Sequence, residues 1–386
     1  MDIINLLCSA WPEGNFWANV IKLFDVGNYA WTIILFTLIL KLVLTPLDFF
    51  QRYYTTKTSR AQAKLRPQLE KLQRQYGQNA NLLAQKQNEL YQKSGYSMKG
   101  SCIVMLVYMV VTLVVFISLY SSIQYIAGFK IKDQFRQLNE TYSISYEVDY
   151  YNYLNVDRDY LDSLQTQEDK DNYIASKMEA KRAEICTELG GHATYVEITE
   201  KIENDCLQFT YTAQDKVVEK YKGVKNSWLW IKNIWIADSA TSKEILTYNA
   251  YKGATGDNIS QSEYETVMAK LLNGDSSVNG VNGYFILSII VVLVSFLSQY
   301  LSRKLTMSKD APPQSQGMGT KVMMFIMPFI MLMFTLNSSA IFSIYIIANS
   351  LISTLLLPIT TILCNKIFDK QDKKVFEKTK VDYRRY

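Results

Sequence analysis

The stretch "WTIILFTLILKLVLTPL", residues 31–47, decides how this chain is read. It is apolar enough to lie in a bilayer, yet Lys41 interrupts it near its middle. Taking Tyr29 to Phe50 as the span, with a rise of about 1.5 Å per residue, places the lysine roughly 13 Å inside the nearer boundary. A lysyl stem of about 6 Å does not carry the ammonium from there to the headgroups. Ionisable groups at such depth face a bundle interior or a water-filled cavity, and mark a functional site unless they simply pair with a neighbour.

Four more apolar segments lie downstream: Cys102 to Phe129, Tyr284 to Tyr300, Val322 to Leu336 and Ser339 to Leu363. Together they predict an all-α polytopic membrane protein. The last two are joined through "NSSA" and are expected to form a hairpin with a tight extracellular turn. The mean hydropathy of −0.04 over 386 residues therefore averages very apolar and very polar stretches.

Loop charges orient the bundle, because Lys and Arg are retained on the cytoplasmic side. Residues 51–100, 301–321 and 364–386 together hold 22 basic and 7 acidic residues, whereas residues 130–280 hold 17 basic and 25 acidic. The N-terminus is thus expected outside and the C-terminus in the cytosol. The overall charge of +5 is the remainder of these opposed loops and carries no indication of DNA binding.

The first residues lack the basic region of a signal peptide. Cys8 follows two leucines, but no basic residue precedes it, so lipidation is not expected there. Phe16, Trp17, Val20, Ile21 and Phe24 recur at helical spacing and suit an amphipathic helix on the outer surface. After the first span, residues 52–95 read as two helices around a turn at "YGQNAN", with Leu65, Leu69, Leu72 and Tyr76 answered by Leu83, Leu90 and Tyr91. This basic hairpin is either a solvated face or a surface for anionic lipid, RNA or an arriving polypeptide. Met323, Met324, Met327, Met331 and Met333 surround Pro328 in the fourth span. They are either ordinary lipid-facing packing or an adaptable apolar surface, and Pro328 is expected to kink the helix.

These features, in this order, resemble the YidC/Oxa/Alb membrane protein insertases over roughly residues 14–129 and 226–366. "WTIILFTLILKLVLTPLDFFQ" is similar to the family's opening helix, with Lys41 at the place of its intramembrane Arg and Thr37 one turn earlier. "GSCIVMLVYMVV" resembles the entry into the second span, with Val104 and Val110 where the family has prolines and Tyr108 where it often has Gln. "NSWLWIKNIWIADS" resembles the stretch before the third span, and "VMMFIMPFIMLMFTLNSSAIFSIYIIANSLIST" resembles the fourth and fifth, with Ser338 and Ala340 replacing Pro and Gly.

The resemblance implies a five-helix bundle that receives hydrophobic segments of nascent membrane proteins and releases them into lipid, alone or with a ribosome and a Sec-type translocon. It implies a bacterial plasma membrane protein without cofactor, metal or catalytic residue. A hydrophilic groove would carry Lys41 and Thr37, and Met109, Val110 and Tyr345 would contact substrate. The expected segments are an outer N-terminal segment 1–28, spans 29–50, 101–129, 283–302, 322–337 and 339–363, and a cytosolic hairpin 51–100. An extracellular insertion 130–225, an outer lead-in 226–282, a cytosolic loop 303–321 and a tail 364–386 complete the chain.

The insertion has no counterpart in the five-span relatives that the rest resembles. It is acidic and tyrosine-rich, with a helical stretch Gln165 to Leu189 and two strand-like runs around "ATYVEI" and "LQFTYTAQ", and it reads as a small α+β domain. Cys186 and Cys206 favour a disulfide if the compartment is oxidising, against two free thiols in a reducing niche. An intramembrane hydrolase would need a nucleophile near Lys41; no HExxH occurs, and His192, the single histidine, lies in the insertion. An anion transporter also accounts for Lys41, but five spans without an inverted repeat fit it less well.

Overall fold

The computed structural model describes residues 15–93, 98–273, 280–306 and 318–383. Cys8 and residues 307–317 of the expected cytosolic loop lie outside them. The described residues form α1 (Phe16–Lys22), α2 (Tyr29–Tyr76), α3 (Ala80–Lys93), α4 (Met98–Tyr153), α5 (Arg158–Ser163), α6 (Gln167–Glu188), α7 (Tyr195–Val224), α8 (Tyr248–Thr255), α9 (Gln261–Leu272), α10 (Ile286–Thr306), α11 (Met318–Leu336) and α12 (Ala340–Tyr383). Among these residues no strand longer than an isolated bridge occurs. Three helices contain stretches long and apolar enough to cross a membrane, Tyr29–Arg60, Ile103–Tyr153 and Ala340–Gln371, and Ile286–Ser302 and Ile326–Leu336 are shorter apolar helices.

The chain divides into two compact units. The first comprises residues up to 127, 228–242 and 282 onward. Its core is the packing of α12 on α2 and of α10 on both α11 and α12. α2 is capped by Asn28, whose side chain accepts hydrogen bonds from Ala30 N and Trp31 N, and runs unbroken through Pro46 and Pro67. The first span and the first arm of the hairpin are therefore one helix. The hairpin turn falls at Gly77–Asn79, where the Asn79 side chain caps α3 by accepting from Leu82 N at 3.1 Å. Leu69 and Leu83 are buried, as a helical hairpin with a leucine stripe requires.

Residues 228–242 tie several chain segments together through backbone polarity. Asn282 is fully buried; its amide donates to the carbonyls of Asn233 (2.9 Å), Ile236 (3.1 Å) and Ala237 (3.3 Å), and its oxygen accepts from Asn233 N (2.8 Å). The carboxylate of Asp238, equally buried, accepts from Phe285 N (2.8 Å) and Leu287 N (2.7 Å), satisfying the otherwise orphaned donors that open α10. Tyr284 and Phe285 take positive φ, 58° and 65°, to present those amides. Between them and Asn282 lies Gly283, where a Cβ would stand 2.6 Å from the Asp238 carboxylate. The loop also meets the start of α12, with Ala340 N on Ile236 O and Ile341 N on Ile234 O, both 2.9 Å. Only residues 337–339 separate α11 from α12, so the tight turn expected at "NSSA" is present.

In the second unit, residues 128–227 and 243–281, the described residues form helices joined by loops, with one isolated bridge between Lys243 and Val281. This corrects the α+β expectation: both strand-like runs fall in or at the start of α7. Thr194 and Glu197 form a capping box there, the Thr194 hydroxyl accepting from Glu197 N while the Glu197 carboxylate accepts from Thr194 N. Ala213, Val217 and Tyr221 then recur four residues apart on the buried face of α7, which packs on α9 through Tyr264, Val267, Met268 and Leu271. On α4, Tyr142, Tyr146 and Tyr150 stack in a ladder with ring centroids 6.1 Å apart. Cys186 and Cys206 are free thiols, correcting the disulfide expectation. The Cys206 thiol faces Tyr146 of α4, and burial raises its pKa despite that tyrosine's hydrogen bond.

Candidate functional site: a charged cavity in the apolar bundle

In the first unit, α2, α4 and α12 enclose a cavity of about 100 Å³ lined by Lys41, Thr45, Asp48, Gln51, Arg52, Tyr108, Ser353, Leu356, Leu357 and Thr360. That is room for about three waters. Lys41, Thr45, Asp48 and Arg52 are spaced i, i+4, i+7 and i+11, so one helical stripe delivers all four. α12 contributes Ser353, Leu357 and Thr360 by the same periodicity. The hydroxyls of Ser353 and Thr360 donate back to their own helix, to Asn349 O (2.6 Å) and Leu357 O (3.0 Å), which leaves their oxygens as acceptors toward the cavity.

Electrostatically the cavity holds two cations and one anion. Lys41 Nζ lies 3.7 Å from Asp48 Oδ2, too long for a hydrogen-bonded ion pair. The other carboxylate oxygen accepts a 2.9 Å hydrogen bond from the Tyr108 hydroxyl. Tyr108 thus links α4 to α2. The side chains of Lys41 and Asp48 are 14% and 26% exposed, so both remain reachable from the cavity.

The other expected site residues are spread more widely. Thr37 is fully buried, spends its hydroxyl on Ile33 O and does not line the cavity. Met109 and Val110 are exposed on α4, 58% and 46%, beside Met105, Leu106, Leu113 and Val114. Tyr345 is buried against Phe342 and offers no open surface. Pro328 lies within α11, which continues through it. Sequence reasoning missed Asp48, Arg52 and Tyr108. The i+7 and i+11 spacing from Lys41 could have found the first two.

A polar cavity lined by Lys41 and carried by helices long and apolar enough to cross a membrane marks a class, helical membrane proteins. Comparison with known proteins narrows it. Residues 21–155 match the family model described as "60Kd inner membrane protein". The chain is similar to the "Membrane protein insertase YidC" of Ectopseudomonas mendocina, 31% identical over 28% of this chain and 20% of that protein. The protein of the same name from Fusobacterium nucleatum is 33% identical over 25% of this chain and 46% of its own length, and that from Nitrosococcus oceani 38% over 25% and 16%. The matched stretch thus spans less than half of these relatives. No solved structure matches significantly. The resemblance of this chain to the YidC/Oxa/Alb family, drawn above from its motifs, agrees with the family model and with every one of these names.

Proposed function

We propose that this chain is a membrane protein insertase, a non-enzymatic five-helix device of the bacterial plasma membrane with its N-terminus outside and its C-terminus in the cytosol. The observation that carries this is the charged cavity on the first membrane helix, open to polar groups yet set among apolar helices. A nascent segment would place its polar flank there while its apolar residues enter lipid along α10 and α12. The energetics are workable: an acidic residue at the bilayer centre costs about 2.5–3.5 kcal/mol, and each Leu, Ile or Phe returns about 0.3–0.6. Water and a cation in the cavity lower the first term while the apolar segment supplies the second. Exposed Met109 and Val110 on α4 would meet the passing helix. The basic hairpin and tail suit a ribosome, and a Sec-type translocon is a further partner.

A photoreactive side chain at Thr45 or Met109, in cells translating a short single-span protein, tests this reading. Crosslinks to the nascent chain from both positions, and none from buried Tyr251, are expected. Crosslinks from neither would refute it.

A further inference from the structure

Asp48 stands out because a carboxylate inside a cavity proposed to receive acidic flanks repels them. The geometry resolves this. Lys41 holds Asp48 loosely, at 3.7 Å, while Tyr108 holds it firmly at 2.9 Å through the other oxygen. Losing Lys41 would therefore leave Asp48 with its tyrosine donor, and Arg52 lines the same cavity. Lys41, by contrast, has in Asp48 a partner that an incoming carboxylate at hydrogen-bonding distance would outcompete.

We propose that Asp48 is a resident stand-in for the substrate carboxylate, and that Tyr108 retains it when a translocating Asp or Glu takes its place on Lys41. This rests on the insertase reading above and adds a determinant of substrate preference. A resting Lys41–Asp48 pair lowers the cost of keeping an ammonium among apolar helices. It also weakens the cavity's attraction for acids, so that an arriving carboxylate is held only transiently and is released. The pair sets how strongly acidic flanks are favoured over neutral ones.

The test uses the full chain in vesicles and two single-span substrates differing only by Asp or Asn in the translocated tail. The readout is the ratio of tail protection, acidic over neutral, at early times. Asp48→Asn keeps an acceptor for Tyr108 and removes the competing charge; the ratio is expected to rise about fivefold, as loss of one partly exposed charge pair implies. Asp48→Glu, which restores a carboxylate, should return the ratio toward the wild-type value. An unchanged ratio in Asp48→Asn at wild-type protein level, or an equal rise in Asp48→Glu and Asp48→Asn, would overturn the proposal. Protein-free vesicles separate the two readings: if wild-type protein protects neither substrate beyond that background, the insertase reading fails, whereas wild-type insertion with no effect at Asp48 defeats only the stand-in.

Discussion

Lys41 was legible because a charge amid leucines has no ordinary neighbours. Asp48 and Arg52 were not, since they flank Phe50, where an apolar run ends and charges look like common boundary residues. Tyr108 was out of reach for a different reason: its hydrogen bond to Asp48 joins positions 60 residues apart, and no local periodicity encodes it. The same holds for the knot of Asn282 and Asp238. Each is fully buried and satisfies several backbone groups, so removing either leaves carbonyls or amides without partners at about 1–3 kcal/mol apiece. Asn282→Ala is expected to destabilise the first unit by about 2–4 kcal/mol. A lowered midpoint of thermal aggregation in detergent, larger than for the exposed control Trp31→Ala, checks this; equal midpoints would contradict it.

At the scale of elements, length and apolarity marked helices: three of the five expected spans fall in helices long and apolar enough to cross a membrane and two in shorter apolar helices, and a Gly–Asn break marks the hairpin turn. The second unit was misread as partly β because "ATYVEI" and "LQFTYTAQ" are rich in aromatic and β-branched residues. The overriding signal was present in the sequence: Thr194-Tyr-Val-Glu197 is a capping box, and it starts a helix of 30 residues. Elsewhere in this unit Asp257 joins α4 and α8. Burial raises its pKa, but hydrogen bonds from Lys132 Nζ (2.9 Å), Tyr251 OH (2.8 Å) and Asn258 N outweigh that and lower it overall. A depressed carboxylate stabilises fully above its unfolded pKa of about 3.9 and loses that contribution as pH falls through the folded value. Amide protection in α8, taken relative to the intrinsic exchange rate at each pH, is therefore expected to fall below about pH 4. Asp257→Asn should show reduced protection already at neutral pH and less further loss on acidification; an identical pH profile of protection in the two proteins would contradict the assignment.

For the whole molecule, composition split the chain into an apolar bundle and an acidic insertion, but it drew the edge of the insertion too early. Residues 243–281 fold with 128–227: Lys225 pairs with Glu244 at 2.7 Å, and Tyr264 OH donates to Leu246 O. Sequence missed this because "NSWLWIKNIWIADS" returns to the bundle in between. Excising 135–220 alone would strip the partner from the buried face of α9, and is expected to give an aggregating protein. Replacing both 130–226 and 244–280 with short Gly/Ser linkers should leave a soluble-in-detergent bundle. The second linker is a tight one, since Asn282 N donates to Ser242 O at 2.9 Å. Gel filtration of the two deletions decides between these outcomes, and a monodisperse single deletion would contradict the shared core.

The central claim is that the positive charge at Lys41 serves the passage of polar flanks across the bilayer. Its direct measurement is protease protection of a single-span substrate with an acidic translocated tail, in vesicles holding wild-type protein, Lys41→Arg or Lys41→Ala at matched levels. The account expects Lys41→Arg to retain most of the protection, since it keeps the charge and changes only the donor geometry. Lys41→Ala should lower protection about tenfold, as about 1.4 kcal/mol of lost stabilisation would. Equal protection by all three proteins would contradict it.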